Sequence, residues 1–225
     1  MWPLPSLTNE YIALVMNPTS LTCGWITDSK KQIPTLKAYT TYDCTTITTT
    51  QALAQFIQTH GLNYSRIGIA INTEHIHEQL VRLSQASPQP HTFISEKLKA
   101  MIWDYRYLFA LDDGQHLFYL CALPRSFLFS KQLLAATMNL QLTTLTSGYM
   151  ALINTYRTLF GSAFRNSTLA LDMLGFNYKL EDSIKTESLL RLMHISPSLS
   201  LDLVHEKLPL VTMIGLYYQE RECNE

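Results

Sequence analysis

The order of apolar runs at the start of the chain limits its fold more than any other feature. Tyr11 to Met16, Thr22 to Thr27 and Thr35 to Asp43 are short and rich in β-branched and aromatic residues, and turn-forming segments separate them. Each run predicts a strand. The first two, within "YIALVMNPTSLTCGWI", form a hairpin around the turn Met16-Asn17-Pro18-Thr19-Ser20. Pro34 suits a strand start, where no ladder N–H is needed. The Thr-rich stretch after Asp43 extends or follows the third strand. Thr49 or Thr50 then caps a helix whose apolar positions Leu53, Phe56 and Ile57 share one face, and Gly61 suits its C′ position. "RIGIAI", Arg66 to Ile71, reads as a buried strand. The opening is therefore βββαβ.

From Asn72 to about Pro124 the character changes. A stretch of mixed polarity (Glu74 to Leu83) and the loop "SQASPQPH" precede a short helical segment at Phe93 to Ala100. Two β-rich runs then flank Asp112-Asp113-Gly114, a hairpin turn signal because Gly and Asp tolerate positive φ. This section reads as an inserted α+β lobe. Beyond it the pattern predicts a helix at Ser126 to Met138, a strand at Gln141 to Leu145 and a helix at Tyr149 to Phe160. "STLALDMLGFNYKLED" reads as a second hairpin with its turn at Leu174-Gly175. Helices follow from about Lys185 to Met193 and from Pro209 onward.

Composition narrows the function classes. With 47% hydrophobic and 16% charged residues in 225, the chain has material for a substantial core. A net charge of -1 gives no electrostatic reason to expect nucleic acid as a partner. The four cysteines (Cys23, Cys44, Cys121, Cys223) are scattered without a CxxC pair, which favours free thiols in a reducing compartment. "MWPLPSLTNEYIALV" lacks the charged and long apolar parts of a signal peptide, and no run of 18 apolar residues predicts a membrane span. His75 and His77 lie beside Glu74 and Glu78 but lack metal-site spacing, so no metal is expected. No GxSxG elbow, Walker lysine loop or GxGxxG occurs. No common motif supports catalysis.

Four stretches in chain order carry a resemblance. "YIALVMNPTSLTCGWI" sits where a first phosphate-loop hairpin belongs, and "RIGIAINTEHIHEQL" looks like a strand leading into an inserted lobe. "WDYRYLFALDDGQHLFYLCALPRSFLFSKQLLAATMNLQLTTLTSGYMALINTY" and the closing "PLVTMIGLYYQ" complete the set. The chain resembles the family of the type IV pilus assembly protein PilM and the cytoplasmic domain of the type II secretion protein GspL. That resemblance implies an actin-like (ribonuclease-H-like) α/β fold of two lobes, with 10–66 and 126–166 as the first lobe, 67–125 as the insert and 167–222 as a reduced second lobe. The subdomain that covers adenosine in this fold is expected to be missing.

The departures from that family bear on chemistry. Its active members carry Asp-Ile-Gly in the first hairpin, where this chain has Met16, Asn17 and Pro18. Proline has no N–H to donate, and no glycine lets the backbone approach a phosphate. Asn17, Ser20, Asp172 and Gly175 are the remnants of a nucleotide site expected to be inactive, so neither enzyme activity nor a cofactor is expected. The resemblance implies a cytoplasmic assembly component, peripheral to the inner membrane and held there by a platform protein. The partner's cytoplasmic segment would lie in a groove between the first lobe and the insert. Trp103, Tyr105, Arg106 and Tyr107 are the candidate contacts, since Tyr, Trp and Arg dominate binding hot spots. Alternate members of a strand must nevertheless face the core. Two alternatives stand beside this reading: a nucleotide-hydrolysing member of the same superfold, and an unrelated α/β binding module.

Overall fold

The computed structural model describes residues 9–29, 32–63, 65–87, 89, 94–161, 164, 186–199 and 207–224. A six-stranded mixed sheet has the order β8-β4-β1-β2-β3-β9. Its strands are β1 (Glu10–Met16), β2 (Ser20–Ser29), β3 (Gln32–Asp43), β4 (Arg66–Ile71), β8 (Gln141–Ser147) and β9 (His194–Ile195). β1, β2 and β3 form an antiparallel meander, while β4 joins β1, β8 joins β4 and β9 joins β3 in parallel. A second, antiparallel sheet has the order β5-β7-β6, from β5 (His77–Leu83), β6 (Ile102–Ala110) and β7 (His116–Leu123). The tip between β6 and β7 is the expected Asp-Asp-Gly turn, with Gly114 at φ 78°.

Side-chain alternation divides the large sheet into two cores. Ile12, Leu14, Met16, Ile67, Ile69 and Ile71 point to the face covered by α1 (Thr49–His60) and α3 (Arg125–Thr137). Tyr11, Ala13, Val15 and Ala70 point to the other face, which is covered by α6 (Lys207–Asn224) and backed by α4 (Gly148–Phe160). Of the two short helices, α2 (Glu96–Lys99) packs Leu98 on the small sheet and α5 (Thr186–Leu190) adds Leu189 to the Tyr11-side core. Small residues let α6 sit close. A Cβ on Gly68 would fall 1.8 Å from the Tyr11 hydroxyl, and one on Gly215 of α6 would fall 1.7 Å from the Ala151 carbonyl oxygen of α4. From Leu210 to Tyr217 every residue of α6 is buried, as expected of a helix packed on two sides.

Several sequence expectations are corrected. The Thr-rich stretch is a turn, because its hydroxyls find local partners: Thr45 donates to Asp43 Oδ1 through both its N–H (2.9 Å) and its hydroxyl (2.6 Å). The N-cap of α1 is Thr48, whose hydroxyl accepts from Gln51 N while the Gln51 side chain accepts from Thr48 N, a reciprocal capping box. Gly61 takes the left-handed C′ position as expected (φ 65°). The last helix begins at Lys207, so Pro209 lies inside its first turn. Within the span 167–222, β9 pairs with β3 of the six-stranded sheet and α6 packs on that sheet's Tyr11 face. An apolar helix needs an apolar sheet face, and β1 and β4 provide it.

Candidate functional site

Two concavities flank α4. The first lies at the C-terminal ends of β1 and β4, where open α/β sheets place their ligands. It encloses about 400 Å³ between the Asn17-Pro18 turn, residues 71–74, Glu78 of β5 and the first turns of α4 and α6. The Asn17 and Ser20 side chains of the hairpin turn both have internal partners. Asn17 N–H donates to the Ser20 carbonyl (2.9 Å), and Asn17 Nδ2 donates to Ser20 Oγ (3.1 Å). Asn72 Nδ2 donates to Asn17 Oδ1 (2.9 Å), and Asn72 N–H donates to the Met16 carbonyl (2.8 Å). Asn17 and Ser20, both read from the sequence as phosphate-site remnants, are thus brought together and locked. Asp172 and Gly175, their expected counterparts, lie outside the described residues.

The N-terminus of α4 faces this cleft and is already capped. Ser147 Oγ accepts from Met150 N (3.0 Å). Asn72 Oδ1 sits so near Gly148 that a Cβ there would meet it at 1.8 Å. Ser147 also bonds the Tyr119 hydroxyl (2.8 Å), and that hydroxyl bonds Glu78 Oε1. Burial, reinforced by the Glu78 charge, pushes the Tyr119 phenol far above its usual range, so it keeps its proton and is the donor to Glu78. The order of donors follows: Met150 N–H to Ser147, Ser147 O–H to Tyr119, Tyr119 O–H to the carboxylate. Glu74 and Glu78 both line the cleft, together with Tyr149, Leu152 and Leu208, and no Lys, Arg or His is among its described lining side chains. Where a phosphate needs donors and positive charge, this cleft presents carboxylate and amide oxygens.

The second concavity, about 440 Å³, lies between β6 and the C-terminal halves of α4 and α6. Tyr107, Leu108, Arg157, Phe164, Tyr218 and Glu222 line it. Of the four partner-contact candidates, only Tyr107 reaches it. Trp103, Tyr105 and Tyr107 alternate onto one face of the small sheet, where the first two pack against Ile94, Leu98, Leu120 and Ala122. Tyr107 stacks edge-on against Phe118 (5.4 Å between ring centres). Arg106 faces inward, donating to Asn154 Oδ1 and pairing with Glu222, both at 3.3 Å. Strand alternation therefore splits the quartet, and Arg106 ties β6 to α4 and α6.

His75 packs on the Phe127 ring, and His77 opens β5 exposed. No group of three or more His, Cys, Asp or Glu suited to a metal occurs among the described residues. Cys23, Cys44 and Cys121 are free thiols. Burial pushes the Cys121 thiol up to about 12 and raises Cys23 as well, which leaves both protonated and unreactive. Sequence reading missed Asn72, Glu78 and Gly148 as cleft residues, and Tyr119 and Ser147 as the groups that hold Glu78. The polar run "NTEHIHE" directly after a buried strand was the available signal for the first two.

Comparison with solved structures bears on the fold. Over 67% of its length the chain superposes on a chain of the PilM–PilN type IV pilus biogenesis complex, with a TM-score of 0.50 at 14% identity. The fold is actin-like α/β. The chain spans only 51% of that protein. The cytoplasmic domain of EpsL, an inner membrane component of the type II secretion system of Vibrio cholerae, matches 63% of the chain and 57% of its own (TM-score 0.43, 8% identity). A Bacteroides thetaiotaomicron protein with an actin-like ATPase fold and unknown function matches 71% and 60% (TM-score 0.39, 10% identity). No known protein-family profile matches the sequence, and no curated protein does. Among the described residues no helix is long and apolar enough to cross a membrane.

Proposed function

We propose that this chain is a non-enzymatic assembly component of a type II secretion or type IV pilus-like system. It works on the cytoplasmic side of the inner membrane, where it binds the cytoplasmic segment of a platform protein. The observation that carries this reading is the shared fold with a chain of the PilM–PilN complex. Two features of the molecule support it. The concavity beside Tyr107 separates the small sheet from α4 and α6, so an extended segment has a place to lie. The other cleft offers acceptors where nucleotide phosphates require donors, which favours a scaffold over an ATPase.

Co-purification from membranes tests the partnership. The platform protein is expected to be captured by the wild-type chain, and capture should fall about tenfold or more for Tyr107→Ala with an unchanged melting temperature. Normal capture by that variant, and by Tyr218→Ala, would move the partner surface elsewhere. Failure to recover any secretion or pilus component would remove the reading itself. Mg-ATP tests the enzymatic alternative. A ligand at 100 times its Kd adds about 2.7 kcal/mol to stability, so a melting scan in millimolar Mg-ATP is sensitive. No shift is expected. A reproducible rise of several degrees would restore the ATPase reading.

A further inference from the structure

The cleft beneath the Asn17 turn is lined as a receptor for positive charge. Glu78 is held in place: its Oε1 accepts from Tyr119, whose own position is set by Ser147 and the first turn of α4. Its second carboxylate oxygen has no hydrogen bond among the described residues. Neither Glu78 nor Glu74 forms an ion pair among the described residues, although other acids do, such as Glu220 with Arg66 and Glu96 with Lys99. A second, independent sign lies in the same wall. The Thr73 hydroxyl is buried there with no hydrogen-bond partner, and an orphan oxygen of this kind costs free energy until a ligand satisfies it. Ile71, Leu152 and Leu208 give the same cleft apolar lining.

From these features we propose that the cleft binds an alkylammonium group. The head donates hydrogen bonds to Glu78, Glu74 and the Thr73 oxygen, and its methylene stem packs on the leucine residues. A volume of about 400 Å³ suits an organic ligand of this size. The donors are too few for a dehydrated metal ion, since only two carboxylates converge and the described residues hold no three-ligand group. The chemistry fits either a free alkylamine or a lysine side chain presented by a protein segment. The inference does not depend on the concavity beside Tyr107, so the partner reading above stands or falls separately.

The test is titration of the whole chain with n-butylammonium, tetramethylammonium and an acetyl-lysine-amide peptide, followed by calorimetry. Butylammonium is expected to bind saturably at millimolar concentration, and tetramethylammonium, which has no N–H to donate, about tenfold more weakly. Glu78→Gln should weaken butylammonium about tenfold, whereas Glu96→Gln, in the distant surface pair with Lys99, should leave it unchanged. Tighter binding of the lysine peptide identifies a protein side chain as the source, and tighter binding of butylammonium identifies a free amine. Absence of saturable binding would overturn the proposal, as would equal affinity for tetramethylammonium. Unaltered affinity in Glu78→Gln would do the same. Should that variant not fold, Glu74→Gln, at an exposed position, must show the loss instead.

Discussion

The two ends of the six-stranded sheet handle negative charge in opposite ways. At the end where β4 begins, Arg66 pairs with Glu220 at 2.7 Å and with Asp28 at 3.9 Å; the Glu220 side chain is only 2% exposed. At the end where β4 finishes, Glu74 and Glu78 face a cavity with no basic side chain among its described lining residues. Both ends therefore carry two carboxylates near the α6 layer, and among the described side chains only one of them supplies a cation. A buried pair that is matched within the chain holds the helix to the sheet. A fixed carboxylate that is left unmatched beside a void is arranged for something brought from outside.

The largest effect that tests this contrast belongs to Arg66→Ala. Removing the guanidinium leaves Glu220 charged and buried, and the expected cost is about 3–5 kcal/mol, measured by urea unfolding. The effect depends on pH in a defined direction. Burial raises the Glu220 carboxyl above its usual range and Arg66 opposes that rise. A raised carboxyl contributes stability that is complete below its unfolded value and is lost as pH rises through its folded one. Loss of Arg66 extends that window upward, so the deficit of the variant should shrink as pH falls from about 7 towards the carboxylate range. A deficit that stays constant with pH would mean that the pair contributes through packing alone.

Tyr119→Phe should have an intermediate effect, about 1–3 kcal/mol, because Ser147 and Glu78 each lose a buried partner. Glu78→Gln should have the smallest, below about 1 kcal/mol, since the amide oxygen still accepts from Tyr119 and no ion pair is broken. If Glu78→Gln destabilised the chain as strongly as Arg66→Ala, Glu78 would be a structural charge and the contrast between the two ends would disappear.

The legible part of this molecule is local. β1, β4 and β7 are apolar runs, and burial of almost every residue follows from the run itself. β5 was obscure because an edge strand exposes alternate positions, and His77-Glu78-Gln79 carries too little apolar signal to mark it. The Asn17 turn could be read because its missing glycine and its proline act on the backbone at that very position. The role of Glu78 could not, because its anchor Tyr119 lies 41 positions away and is brought close only by the β5–β7 ladder. The partners of Arg106 on α4 and α6 were hidden for the same reason.

The packing of α6 on β1 has a consequence for biosynthesis. β1 is the first described strand, and the helix that covers its Tyr11 face is the last described element, roughly 190 residues later. At about 5–20 residues per second, translation leaves that apolar face open for roughly 10–40 s. The first hairpin therefore waits beside the ribosome without its cover, and a chaperone that holds apolar segments would have its clearest target there. Truncation before Lys207 would leave the same surface open permanently.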